Sequence, residues 1–240
     1  VTARAAREGR PARTPAGSWR YRPVVRQALA VGIATGAYGI SAGALAVAAG
    51  LSVWQAMATS LLLFSGGSQF AFYGVIGTGG SPVAAVAAST LLGVRNGFYG
   101  LQLVRLLDVR GWRRAAAAQL TIDESTAVAV GQEDRTDQRV GFWTTGLAVF
   151  LLWNAMTLAG ALLGTALGDP RALGLDAAAA AAFVALLWPR LRGRDPLAVA
   201  ALAVLLTLVT APLAPPGIPV LVAAVAALVV GLPGGSRRPA

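Results

Sequence analysis

The chain contains no cysteine and no histidine, and its twenty basic residues are all arginine, with no lysine. Without cysteine there is no disulfide, and the redox compartment stays open. Without histidine there is no imidazole to act as base, metal ligand or pH sensor. That excludes a Ser-His-Asp arrangement, and any proton coupling would have to run through carboxylates. No Walker-type phosphate loop is present. An enzyme is therefore not expected, and neither is a cofactor. Charge is scarce as well: soluble domains carry about 25% charged residues, whereas this chain has 12% against 56% hydrophobic.

What fills the chain instead is long apolar runs. Residues 27–94 are 68 consecutive positions without a formal charge. At ~1.5 Å rise per residue, one helix of that length would far exceed a hydrocarbon core of ~30 Å. The stretch must fold back on itself within a lipid bilayer. Barrel strands would alternate polar and apolar positions, but these runs are continuous and rich in Ala, Leu and Gly. The expected fold is all-α, a polytopic membrane helix bundle. A net charge of +10 would suggest nucleic acid in a soluble protein. Here the arginines sit at the ends of apolar segments, so topology explains them and no nucleic-acid partner is expected.

Residues 1–26 carry seven Arg and one Glu and have no apolar core. They are expected to be a disordered basic cytoplasmic tail, followed by an uncleaved first span and not a signal peptide. Residues 27–232 then form the transmembrane transporter domain, and 233–240 a cytoplasmic C-terminal tail. Apolar segments fall at 28–50, 53–77, 83–104, 140–167, 177–188 and, after 196, two more separated by APLAPPGIP. The basic stretches at 1–26, 105–114, 189–195 and 237–238 all belong on the cytoplasmic side. That is satisfied if the second segment enters and returns on one side, broken at the Gly-Gly pair within residues 65–69. By the same count the weak segment holding Asp123 does not cross. About six full crossings result, with both termini inside the cytoplasmic (inner) membrane. The alternative is eight crossings with one loop violating the charge rule. An inverted pair of halves is compatible with the sequence, and no residue pattern demonstrates it.

Three polar clusters interrupt the apolar background. In Ser65, Gly66, Gly67, Ser68 and Gln69 the glycines allow backbone to unwind at membrane depth, freeing amides for a polar ligand. Close helix packing through small residues is the competing reading. Arg95 and Asn96 lie among LLGVRNGFYGLQLV. An arginine there either faces a partner or wet cavity, where it can grip a carboxylate, or snorkels to the interface. Asp123, Glu124 and Ser125 form the third cluster. Adjacent helical residues diverge by ~100°, so one carboxylate can face the bundle, meeting Arg95 or a substrate ammonium, while the other stays solvated. A wholly solvated loop edge is the competing reading. Asp176 reads as an N-cap. Asn154, beside Trp153, needs an interhelical partner. Gly32, Gly36, Gly39 and Gly43 read as a close-packed helix face.

The stretches GISAGALAVAAGLS, WQAMATSLLLFSGGSQFAF, LLGVRNGFYG, LTIDESTAVA and LGLDAAAAAAF, in this order, resemble the AzlC family, the large subunit of branched-chain amino-acid exporters. The similarity runs over roughly residues 28–231. One departure stands out: the family pattern Asn-x-Arg-His is Gly93-Val94-Arg95-Asn96 here, so the arginine carries over and the histidine does not. The resemblance implies secondary export of branched-chain or similar apolar amino acids and a small membrane partner resembling AzlD. On this reading Arg95 and the backbone at residues 65–69 hold the substrate carboxylate. Asp123 or Glu124 holds its ammonium, and Phe64, Phe70 and Phe72 its side chain. Proton coupling is the expectation because no nucleotide site exists. A membrane pore or a non-transporting scaffold subunit is the rival.

Overall fold

The computed structural model describes residues 23–166, 184, 187–188, 191–215 and 217–234. Asp176 and most of the expected span 177–188 lie outside the described residues, as do residues 1–22 and 235–240 of the two tails. Every regular element among the described residues is an α-helix: α1 Pro23–Ala37, α2 Gly39–Ala48, α3 Val53–Leu62, α4 Gly66–Gly77, α5 Pro82–Leu107, α6 Trp112–Gln119, α7 Asp123–Val130, α8 Arg135–Ala166, α9 Arg194–Thr210 and α10 Ile218–Gly234. Helix α1 begins at Pro23, so residues 23–26 belong to the first helix and not to the tail. The chain runs on from α1 to α2 through a helical Tyr38. Two helical stretches, Pro23–Ala48 and Arg135–Ala166, are long and apolar enough to cross a membrane.

Those two stretches form the frame. A Cβ on Gly32 would meet Ala148, one on Gly36 Leu152, one on Gly39 the Trp153 carbonyl, and one on Gly43 the Thr157 carbonyl. From the other side, Gly160 abuts the Ile40 carbonyl and Gly164 faces Ala44. Positions advance together along both helices, so α1–α2 and α8 run parallel. Their axes come close because the glycines leave backbone against backbone.

Short signals set the boundaries. Gly50, at φ 90°, ends α2, and Leu51 N donates to Ala46 O (3.0 Å) in a Schellman-type cap. Ser52 and Gln55 exchange the two hydrogen bonds of a capping box at α3. Ser81 and Pro82 open α5, and Asp108 closes it in the left-handed region. Asp134 caps α8 by accepting from Thr136 N and Asp137 N.

Two helix pairs double back. The Thr59 and Tyr73 hydroxyls share a 2.7 Å hydrogen bond. Were α3 to continue straight into α4, those residues would lie about 20 Å apart along the axis. Gly77, at the end of α4, faces Ala49, at the end of α2. The α3–α4 hairpin therefore enters and leaves at the end of the bundle where α2 finishes. Arg139 Nε donates to Leu106 O (3.1 Å), which brings the start of α8 to the end of α5. Because α6 follows α5 and α7 precedes α8, the α6–α7 hairpin enters and leaves at the opposite end. The expected weak helix around Asp123 is thus two short helices broken at residues 120–122. The break in the preceding pair falls at residues 63–65, so it meets the expected 65–69 only at Ser65, the N-cap of α4. Gly66 through Gln69 are helical because the glycines serve close approach and not unwinding.

The α2–α8 contact makes a clean test. Gly160→Ala forces a methyl into the Ile40 carbonyl and should cost about 1–3 kcal/mol, lowering the melting temperature in detergent. Gly97→Ala, where a Cβ meets nothing within 4 Å, should leave it unchanged or raise it slightly.

Candidate functional site

The two hairpin tips touch each other. Gln119 Nε2, at the end of α6, donates to Leu61 O near the end of α3 (2.8 Å). Helices that stop inside an apolar region leave carbonyls without intrahelical partners, and side chains take up the freed groups. Gln69 Nε2 donates to Leu63 O (2.7 Å) and Ser60 O (3.4 Å), while Gln69 Oε1 accepts from Trp153 Nε1 of α8 (3.0 Å). At the second break, Ser125 Oγ donates to Leu120 O (2.6 Å) and accepts from Ile122 N (3.1 Å). Thr121 Oγ1 donates to Ala117 O (2.7 Å).

Beyond the tips lies a cavity of about 480 Å³, within the range of small-molecule sites. Its polar end is made by Ser65, Gly66 and Gly67 at the start of α4, Arg95 and Asn96 on α5, and Asp123 and Glu124 at the start of α7. Its apolar wall includes Phe64, Phe70, Val149 and Trp153, closed on the far side by Ala34, Thr35 and Tyr38 of the first helical stretch. Arg95 Nη2 lies 3.2 Å from Asp123 Oδ2, and both side chains are partly exposed. The Arg95 Nε and Asn96 Oδ1 atoms are shielded from solvent and carry no hydrogen bond among the described residues.

The glycine pair now has a steric reason. A Cβ on Gly66 would come within 2.9 Å of Trp153 Cη2, and one on Gly67 within 3.2 Å of Arg95 Nη2. Any larger residue would push the tip away from both. The opening of α4 also presents amides with no acidic side chain in its first turn. The opening of α7 bears Asp123 and Glu124. One helix start is bare and favours negative charge, and the other is already neutralised by carboxylates.

A family model described as AzlC protein matches residues 30–167, more than half of the chain. The chain belongs to the AzlC family. The matched segment runs from α1 to the end of α8 and so holds every element around the cavity except the part bearing Val184 and Leu187. No curated protein and no solved structure matches this AzlC chain. Membership makes it a membrane protein related to transport subunits.

Of the ten residues singled out in the sequence, seven line this AzlC cavity: Ser65, Gly66, Gly67, Arg95, Asn96, Asp123 and Glu124. Ser68, Gln69 and Ser125 do not; all three are fully buried. Gln69 and Ser125 face the breaks, because the carbonyls released there are nearer than the cavity. Ser68 Oγ has no hydrogen bond among the described residues and lies against Gly93. Phe72 also points elsewhere, edge-on to Tyr73 and into the packing around Val75 and Ala84. Sequence reasoning missed Trp153 as a cavity wall, although an indole N–H in mid-span does call for a partner.

Gln69→Leu leaves the Leu63 carbonyl and the Trp153 N–H without partners. Each loss costs about 1–3 kcal/mol, so the melting temperature should drop clearly. Ser68→Ala removes a hydroxyl with no hydrogen bond and should leave it unchanged or higher.

Proposed function

We propose that this AzlC protein is the large subunit of a secondary transporter that exports branched-chain or similar apolar amino acids. The observation that carries the reading is the cavity itself, lined both by the Arg95–Asp123 pair and by aromatic and aliphatic side chains. A zwitterion inserts between the two charges. Its carboxylate goes to Arg95 and the bare amides of Gly66 and Gly67, and its ammonium to Asp123 and Glu124. The apolar side chain lies against Phe64, Phe70, Val149 and Trp153. Export is coupled to protons through Asp123 or Glu124, the carboxylates in the cavity of a chain without histidine. A small AzlD-like membrane subunit completes the transporter.

The charge distribution supports a topology. The end of the bundle where α5 finishes carries Arg105, Arg110, Arg113 and Arg114, and α8 starts there with Arg135 and Arg139. At the opposite end the turns at 49–52 and 78–81 have no charged residue. The first end is cytoplasmic by the positive-inside rule. We keep six crossings, with α1–α2, α5, α8, α9 and α10 as five of them and both hairpins re-entrant; the sixth, expected from the sequence at 177–188, falls largely outside the described residues. Residues 27–232 are then the transporter domain in the cytoplasmic membrane, and residues 1–26 and 233–240 lie at its cytoplasmic face.

Counterflow of labelled leucine and valine in proteoliposomes holding this protein and its partner tests the function. Saturable exchange is expected. Arg95→Gln and Asp123→Asn should each reduce it by roughly tenfold or more, since each removes the charge that meets one pole of the substrate. No exchange of any amino acid by the reconstituted pair would sink the proposal. Conductance without saturation would favour the pore reading, and stable assembly without flux the scaffold reading.

A further inference from the structure

We propose that α3–α5 and α6–α8 are inverted counterparts of one unit, and that their two hairpin tips are the opposing gates of the cavity. The gate assignment rests on the transport reading above; the inversion does not.

The correspondence begins with order. Each unit is a short helix, a break, a second short helix and one long helix. Each starts with an exposed tryptophan in its first turn, Trp54 at 83% and Trp112 at 77% exposure. Tryptophan at such a position marks a membrane–water boundary. The third residue of each helix that follows a break is a buried serine, Ser68 in α4 and Ser125 in α7. Each long helix carries an asparagine whose Oδ1 is buried without a hydrogen bond, Asn96 and Asn154. Trp54 is separated from Asn96 by the same number of residues as Trp112 is from Asn154.

The contacts are reciprocal, as two-fold-related units require. The tip of the first unit reaches the long helix of the second: Gln69 bonds Trp153, and Gly66 packs on the same ring. In return, Asp123 at the tip of the second unit pairs with Arg95 on the long helix of the first. Arg95 and Trp153 stand immediately before the two asparagines, so equivalent positions are used in both directions. The tips also touch each other through Gln119 and Leu61.

The hairpins enter from opposite ends of the bundle, so the units are inverted and not parallel. Each tip then closes the route from the cavity to one face of the membrane. The copies differ where they meet the cavity, with Gly66-Gly67 in one and Asp123-Glu124 in the other. One gate therefore presents bare amides to an anion, and the other carboxylates to a cation. A zwitterion bound between them touches both gates at once, and either can part only when it releases its pole.

The chain has no cysteine of its own, which makes site-directed labelling direct. In intact cells, a membrane-impermeant maleimide should label Thr78→Cys. It should reach Arg110→Cys and Glu133→Cys only after permeabilisation. Labelling of all three from one face would overturn the inversion. For the gates, Leu61→Cys/Gln119→Cys should exchange leucine until a short bismaleimide bridges the tips, and bridging should lower exchange about tenfold or more. Full exchange by the bridged protein would overturn the gate assignment. Absence of exchange by the protein with its own Leu61 and Gln119 would overturn the transport reading and the gates with it, while the labelling pattern still decides the inversion.

Discussion

A backbone carbonyl inside an apolar medium has no water to turn to, so a helix can stop there only where other groups accept the loss. This AzlC protein stops two helices in its interior, after Leu62 and after Gln119. Four polar side chains near those stops answer that demand. Gln69 bonds the carbonyls of Ser60 and Leu63, Ser125 that of Leu120, Thr121 that of Ala117 and Gln119 that of Leu61. With the carbonyls held by side chains, the new helix starts at Gly66 and Asp123 are directed toward the cavity.

The breaks need a rigid wall to lean on, and α8 provides it. Its parallel packing against α1–α2 depends on glycines that bring backbone onto backbone, a contact that tolerates little sliding. Trp153 sits on that wall and serves both sides: its ring packs near Gly66 and Phe70, and its N–H holds Gln69. A single residue thus links the frame, the first break and the apolar surface of the cavity. The charged end is assembled differently, from α5 and α7. Arg95 and Asp123 offset one another there without the full desolvation of a deep core. A partly exposed pair can be parted by a ligand that supplies the same two charges.

Much of the site was legible because polar residues are rare in this chain. Arg95, Asp123 and the glycine pair stood out against 68 uncharged positions and could not be placed in lipid without a reason. The orientation of neighbouring side chains was not legible. Gln69 and Ser125 looked as suitable for a ligand as Ser65 and Glu124. Their roles depend on which carbonyls the breaks release, and the first break lies a few residues before the glycines that suggested it. The second break was hidden because residues 115–131 carry neither glycine nor proline until Gly131; its cause is the cap formed by Ser125, not a helix-breaking residue.

Composition and charge placement alone determined that the chain is helical and belongs in a membrane, and that its charged side chains are carboxylates and arginines. Those conclusions follow from solvation, which acts on each residue type wherever it stands. The tertiary structure decided which residues meet: Arg95 with Asp123, Gln69 with Trp153, and the tip of one hairpin with the long helix of the other unit. Such pairings arise from helices that turn back inside the bundle. Where a helix turns back depends on partners distant in sequence, and local patterns do not record them.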